Sequence, residues 1–253
     1  MSDKSNSLRQ VNEEIIRCRK CPRLVEYREH VAREKRLAYR DCTYWGKPVP
    51  GFGDPHAQLL IVGLAPGAHG SNRTGRMFTG DRSGIFLYQA LYDAGFANQP
   101  SAVSPDDGLR LKNVYIAAAA RCAPPDNKPL PSEMLNCRPY LEREIDILQP
   151  KAVLALGKIG WDVFLGILKH RGVIPARIGY RFAHGAEVEL AQSGMHLFGV
   201  YHPSQQNTQT GLLTPAMYAI VLRRIQSFLK QNAKANAKAT EKKSTRTQRR
   251  AEL

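Results

Sequence analysis

The sequence predicts an α/β protein: a central four-stranded, mainly parallel sheet with helices on both faces. Three observations predict it. Four short, wholly apolar runs punctuate the chain: QLLIVGL from Gln58, NVYIAA from Asn113, KAVLAL from Lys151 and HLFGVY from His196. Strands buried on both faces read as such continuous runs rather than as alternation. Stretches of helical periodicity lie between them, and strand–helix alternation is what builds a parallel sheet. Finally, 253 residues with 43% apolar and 23% charged side chains are enough for a full core. That composition excludes a fibrous or wholly disordered chain.

The elements follow in order. Leu8, Val11 and Ile15 stand at helical spacing, and Pro22 stops that helix or opens a second through Leu24, Tyr27 and Val31. Lys35 to Pro55 is irregular, with Trp45, Pro48, Pro50, Gly51 and Gly53. After the first strand, Pro66 to Arg82 is a polar, Gly-rich loop, and Ser83 to Ala94 has a helical pattern. After the second strand comes a Pro-rich loop, then a helix that Ser132 can cap and Pro150 ends. Gly157 opens a helix to about Leu168 behind the third strand, and a less regular stretch leads to the fourth. Thr214 caps a last helix to about Gln231, with Pro215 at its first position. This gives one domain over 1–229 and a tail over 230–253 without an apolar stripe, expected to be disordered or a frayed helix extension.

No apolar run approaches the ~20 residues of a membrane span. Met1 to Gln10 lacks the apolar centre of a signal peptide, so a soluble, intracellular (cytoplasmic) protein is expected. The net charge is +15, of which the tail from Lys230 carries +6, leaving +9 on the body. A basic body with a basic tail suits a polyanion such as nucleic acid, and equally suits a basic protein that merely stays soluble.

Five cysteines in a reducing compartment are not expected to be disulfides. Cys18 and Cys21 form C-x2-C, Cys122 and Cys137 are separated by fourteen residues, and Cys42 stands alone. Four cysteines in two pairs can hold a tetrahedral zinc or an iron–sulfur cluster. The long second spacing favours the cluster; four unligated, buried thiols are the plainer alternative.

In a parallel sheet the ligand sits beyond the carboxyl ends of the strands. That rule selects Ala65 to Asp81, Ala119 to Lys128, Gly157 to Gly160 and His202 to Thr210. The first, with Gly63 before it, reads GLAPGAHGSNRTGRMFTGD. No Lys followed by Ser or Thr comes after Gly75, so it is not a nucleotide-hydrolysing phosphate loop. It offers Arg73, Arg76, the aromatic Phe78 and the carboxylate Asp81, a set suited to a small planar ligand beside a phosphate backbone. HPSQQN, from His202, puts a histidine at a strand end, with Ser204 able to cap or to touch a phosphate.

Together these residues resemble the uracil-DNA glycosylase superfamily, most closely its family 5. The likeness covers about Arg17 to Leu229 and rests on the cysteine pairs, GLAPGAHGSNRTGRMFTGDRSG, RCAPPDNKP and HPSQQNTQTG. It implies an α/β/α sandwich around a four-stranded sheet, a [4Fe-4S] cluster and excision of uracil, and other deaminated bases such as hypoxanthine, from DNA. The family's cluster ligands fall on Cys18, Cys21, Cys122 and Cys137. Its base-stacking aromatic falls on Phe78 and its HPS histidine on His202. The best-known members carry an acid or amide early in the first loop; Ala65 and Gly67 stand there instead. A base-reading Asn would fall near Ala118.

On this resemblance the base is extruded into a pocket bounded by Gly63, Ala65, Gly67 and Phe78. His202 donates to the leaving uracil, and Asp81 orients water or stabilises the cationic sugar. Arg73, Arg76, Ser204 and Asn207 touch the DNA backbone, and Asn127 is the remaining base reader. No lysine is placed as a Schiff-base nucleophile, so the implied enzyme is a monofunctional monomer that leaves an abasic site. Asp81 also precedes a helix and reads equally as its cap, and Asn127 as a turn residue. The competing expectation is a non-catalytic iron–sulfur or zinc nucleic-acid-binding module on the same fold.

Overall fold

The computed structural model describes residues 3–191 and 193–251, with 236–251 by backbone alone. Its frame is a six-stranded sheet in the order β1-β3-β2-β4-β6-β5. The four central strands, β3 (Val114–Ala118), β2 (Leu59–Gly63), β4 (Ala152–Leu156) and β6 (Met195–Val200), are mutually parallel. They are the four apolar runs of the sequence. The expected count of four is corrected by two antiparallel edge strands, β1 (Phe52–Gly53) on β3 and β5 (Glu187–Leu190) on β6. Both are short and partly exposed, so neither shows a continuous apolar run. An edge strand needs only one covered side.

Alternate residues of the central strands feed two cores. Leu59, Ile61, Leu154 and Phe198 face α4 (Arg82–Asp93) and α8 (Pro215–Ala251). Leu60, Val62, Val153 and Leu197 face α1 (Lys4–Arg17), α5 (Pro131–Leu148) and α6 (Gly157–His170). Each β2 residue from Leu59 to Val62 is fully buried. Helices on both faces make the three layers.

Several helix ends have legible causes. Pro22 opens α2 (Pro22–Glu34), where its missing N–H costs nothing. Thr214 Oγ1 accepts from the Met217 N–H at 3.3 Å and caps α8. The expected Ser132 cap is corrected: Pro131 is the first residue of α5, and the Leu130 N–H donates to Glu133 at 2.7 Å. The sequence ends the last helix near Gln231, whereas the helical backbone runs on to Ala251. The tail's side chains from 236 onward lie outside the described residues. Two further short helices, α3 (Ser71–Thr74) and α7 (Gln205–Gln209), form inside the polar strand-end segments. No helix among the described residues is long and apolar enough to cross a membrane.

Candidate active site

The strand-end loops pair before they diverge. The Ala119 and Ala120 N–H groups donate to the carbonyls of Gly63 and Leu64, both at 2.9 Å, so the first loop leaves β2 from a fixed platform. Glycine at position 63 lets the ring approach closely: a Cβ there would lie 3.1 Å from Phe78 Cζ. The Phe78 ring therefore covers the carboxyl end of β2. Its centroid is 6.1 Å from that of His202, with the planes tilted by 36°. The structure thus brings Gly63, Phe78 and His202 together from two separate loops.

Phe78 sits at φ 53°, a conformation that costs a bulky residue about 1–3 kcal/mol. Three neighbours hold it there. Its N–H donates to Ser71 Oγ at 2.9 Å, and Tyr88 donates its hydroxyl proton to the Met77 carbonyl at 2.7 Å. Gly84 leaves room: a Cβ there would stand 1.7 Å from the Phe78 carbonyl oxygen. Sequence reasoning missed Ser71, Gly84 and Tyr88. They act by contact with a strained backbone, which leaves no mark in a linear pattern.

Asp81 takes the cap position expected of it. Oδ1 accepts from the Gly84 N–H at 2.8 Å and caps α4. Oδ2 faces the loop: a Cβ on Gly67 would approach it to 3.2 Å, and one on Gly70 would collide with it. Burial pushes the Asp81 carboxyl above the ordinary range, while the Gly84 and Ser83 N–H groups and Arg73 draw it back. Ala65 and Gly67 line the same loop with no polar side chain.

His202 follows β6 and lies over the start of α6, where Gly157 takes φ +83° and a Cβ would meet the His202 Cβ at 3.2 Å. Its carbonyl accepts from the Ser204 N–H at 2.7 Å and the Asn207 side-chain amide at 2.8 Å. Ser204 caps α7, accepting from the Asn207 N–H at 3.3 Å. Ser204 and Asn207 thus fix the loop that aims the imidazole. Burial drives the His202 pKa down to about 4, so the ring is neutral at pH 7 with one N–H to donate.

Both loop arginines make contacts within the protein, Arg73 half-buried and Arg76 fully so. Arg73 donates to the carbonyls of His69 (2.8 Å) and Gly80 (2.9 Å) and lies 4.2 Å over the Tyr39 ring. Arg76 is only 5% exposed; it pairs with both Asp107 oxygens at 2.9 and 2.8 Å and donates to Thr79 Oγ1. Asn127 is exposed, on a one-turn 3-10 helix where it and Asp126 both have positive φ; its backbone N–H donates to the Pro124 carbonyl at 3.3 Å, and its side-chain amide makes no hydrogen bond among the described residues.

At the other end of the second loop, Cys18, Cys21, Cys122 and Cys137 all line one small cavity with Leu24 and Tyr140. Burial, reinforced by the neighbouring thiols, raises the Cys122 pKa to about 12. Cys42 is not part of that wall. Among the described residues no three Cys, His, Asp or Glu side chains converge as they would on a single metal ion.

A strained aromatic, a neutral histidine and a partly buried carboxylate gather at the carboxyl end of a parallel sheet, and they define an α/β protein whose polar and aromatic groups meet at the strand ends. The family model described as the uracil DNA glycosylase superfamily matches residues 50–226. The chain is 50% identical over 209 residues to a type-5 uracil-DNA glycosylase of Thermus thermophilus, covering 82% of this chain and 92% of that protein. It is 48% identical over 225 residues to that of Mycobacterium leprae (88% and 96%) and 49% identical over 221 residues to that of Mycobacterium tuberculosis (87% and 81%). The chain belongs to the uracil DNA glycosylase superfamily, in its type-5 branch.

Proposed function

We propose that this chain hydrolyses the N-glycosidic bond of uracil in DNA, leaving an abasic site without cutting the strand, and that it accepts other deaminated bases such as hypoxanthine. The observation that carries this reading is Phe78, strained yet pinned over Gly63 and facing His202. A base inside a duplex is out of reach, so it is extruded first, at a cost lowest for a mispaired base such as U opposite G. Stacking on Phe78 returns roughly 1–3 kcal/mol of that cost. As the bond breaks, negative charge gathers on uracil and positive charge on the sugar. Neutral His202 donates its N–H to the uracil oxygen that gains charge, and the buried site strengthens the bond. Asp81, whose Oδ2 lies against Gly67 and Gly70, is assigned to orient water or stabilise the cationic sugar. Ala65 and Gly67 supply space and backbone amides instead of an acid. Exposed Arg82, next to Asp81 at the start of α4, is better placed than Arg76 to meet a phosphate.

The cysteines fit a [4Fe-4S] cluster better than a zinc ion. Four thiols around one cavity match the donor set of a cluster, and a multi-iron group spreads its ligands more widely than one ion does. Bound there, it would cross-link the start of α2 to the end of β3 and to α5. It would supply no group to bond cleavage.

The test is base release from a labelled duplex with one U·G pair, read as alkali-sensitive breaks. Wild type should release uracil and nick nothing before alkali. Asp81→Ala and His202→Ala should each slow release about 10²–10³-fold. Salt-sensitive binding without release by wild type would overturn the reading in favour of a binding module.

A further inference from the structure

Between the end of α1, α2 and the Trp45–Lys47 turn lies a second cavity of about 560 Å³. Arg17, Arg19, Arg28, Arg33 and Lys47 line it against one carboxylate, Glu29. Glu29 is already held by Arg19 at 2.5 Å and lies 3.6 Å from Arg28, so its charge is largely committed. Arg28 is 2% exposed: it donates to the Gly46 carbonyl at 2.6 Å, and its Nε is buried with no partner. Glu29 is thus the one carboxylate in the wall facing five cations, which leaves the cavity with an excess of positive charge that an anion would offset. Trp45 supplies an aromatic wall, with Lys47 Nζ 5.5 Å from its ring centroid.

The cavity is mechanically joined to the first loop. The Trp45 N–H donates to the Arg73 carbonyl at 2.8 Å and the Gly46 N–H to the Asn72 carbonyl at 3.0 Å. The Asn72 amide donates to the Arg28 carbonyl at 3.2 Å. On its other side the Trp45 ring lies against Gly75, where a Cβ would approach to 2.8 Å. The cavity and the Phe78 slot therefore flank one rigid loop.

We infer that this cavity is a phosphate site for the DNA backbone at a nucleotide distant from the extruded base, and that it sets the register of the duplex on the first loop. Its arginines offer the forked donors that match phosphate oxygens. With Arg76 buried on Asp107, the cavity supplies a phosphate contact that this loop arginine does not make. The inference rests on the reading of the chain as an enzyme acting on DNA.

The test uses the full chain carrying Arg33→Gln and Lys47→Gln, both exposed and outside the packed core. Affinity for the U·G duplex is titrated against salt. The double variant should bind roughly tenfold more weakly at about 0.1 M salt, with a log–log salt slope about 1–2 shallower than wild type. A charge-matched double variant on another cavity wall, Lys169→Gln with Arg177→Gln, should keep the wild-type slope. Trp45 fluorescence, read in a Trp161→Phe background, should respond to duplex DNA and not to inorganic phosphate alone. A slope equal to wild type, an equal loss in the charge-matched control, or a Trp45 response to inorganic phosphate but not DNA would each overturn the proposal. Failure of the enzyme reading would show instead as absent base release in wild type.

Discussion

The loop over residues 65–81 is braced entirely by protein, whereas the cysteine cavity is not. Ser71, Gly84 and Tyr88 fix the Phe78 backbone, Asp81 caps α4, Arg73 spans the loop and Arg76 locks onto Asp107. The four thiols meet across a cavity with little to join them; a 3.4 Å contact from the Asn136 amide to Cys21 is the sulfur hydrogen bond the side chains make there among the described residues. α1 is also tied to α5 by the Glu14–Arg143 pair, exposed and therefore weak. The difference teaches that the first loop is preorganised by its own hydrogen bonds and ion pairs, while α1 is joined to α5 by the apolar contacts of Val11 and Ile15 with Tyr140, and the four thiols line a cavity beside that joint. A strained aromatic persists only where its surroundings over-determine it.

The largest expected effect breaks the second half of that comparison. Cys137→Ser should lose iron and acid-labile sulfide, and should lower the melting temperature more than any single hydrogen-bond variant, because metal binding free energy is folding free energy. Limited proteolysis should then cut first between α1 and the irregular segment before β1. Protein that holds zinc and no iron, or a Cys137→Ser variant that melts with wild type, would sink the cluster assignment. The next effect sharpens the first half. Asp107→Ala leaves the Arg76 guanidinium buried and unpaired, a loss of about 3 kcal/mol, or ~6–12 °C in melting temperature. Base release should fall with it, since Arg76 holds the turn that presents Phe78. A stable variant with a slack loop would show a raised KM; an unchanged melt would mean that the pair is not the brace it resembles.

The central strands were legible because each is buried on both faces and so reads as an unbroken apolar run. β1 and β5 were not, because a two-residue edge and a half-exposed EVEL carry no such run. The strand-end rule selected the segments that hold Phe78, Asp81 and His202, because topology places ligands there. Arg76 was misjudged for a physical reason: a cation in a polar loop reads as solvent-facing until its partner is known, and Asp107 lies thirty-one positions away. Ser132 was similarly outweighed by Glu133, which reaches back to the Leu130 N–H. Long-range partners and positive φ at Phe78 are properties of the folded chain, and a single sequence does not record them.

The last effect concerns protons and compares the two loops through His202. Its ordinary value is 6.5, and burial lowers it to about 4 in the folded chain. Above the ordinary value both folded and unfolded chains hold the ring neutral, and its titration leaves stability unchanged. As pH falls through the interval, the unfolded chain takes up a proton that the folded chain refuses, so stability is lost between about 6.5 and about 4 and no further below that. His202→Gln removes this contribution, so its unfolding midpoint should fall less than that of wild type over the same interval. Base release should also run through the ordinary histidine range without an inflection from His202, because the ring that donates to uracil is already neutral there. An inflection between about pH 6 and 7 that disappears in His202→Gln would show a ring that charges in the ordinary range. It would mean that the loop after β6 is open to water, and that His202 works as a cation rather than as a buried neutral donor.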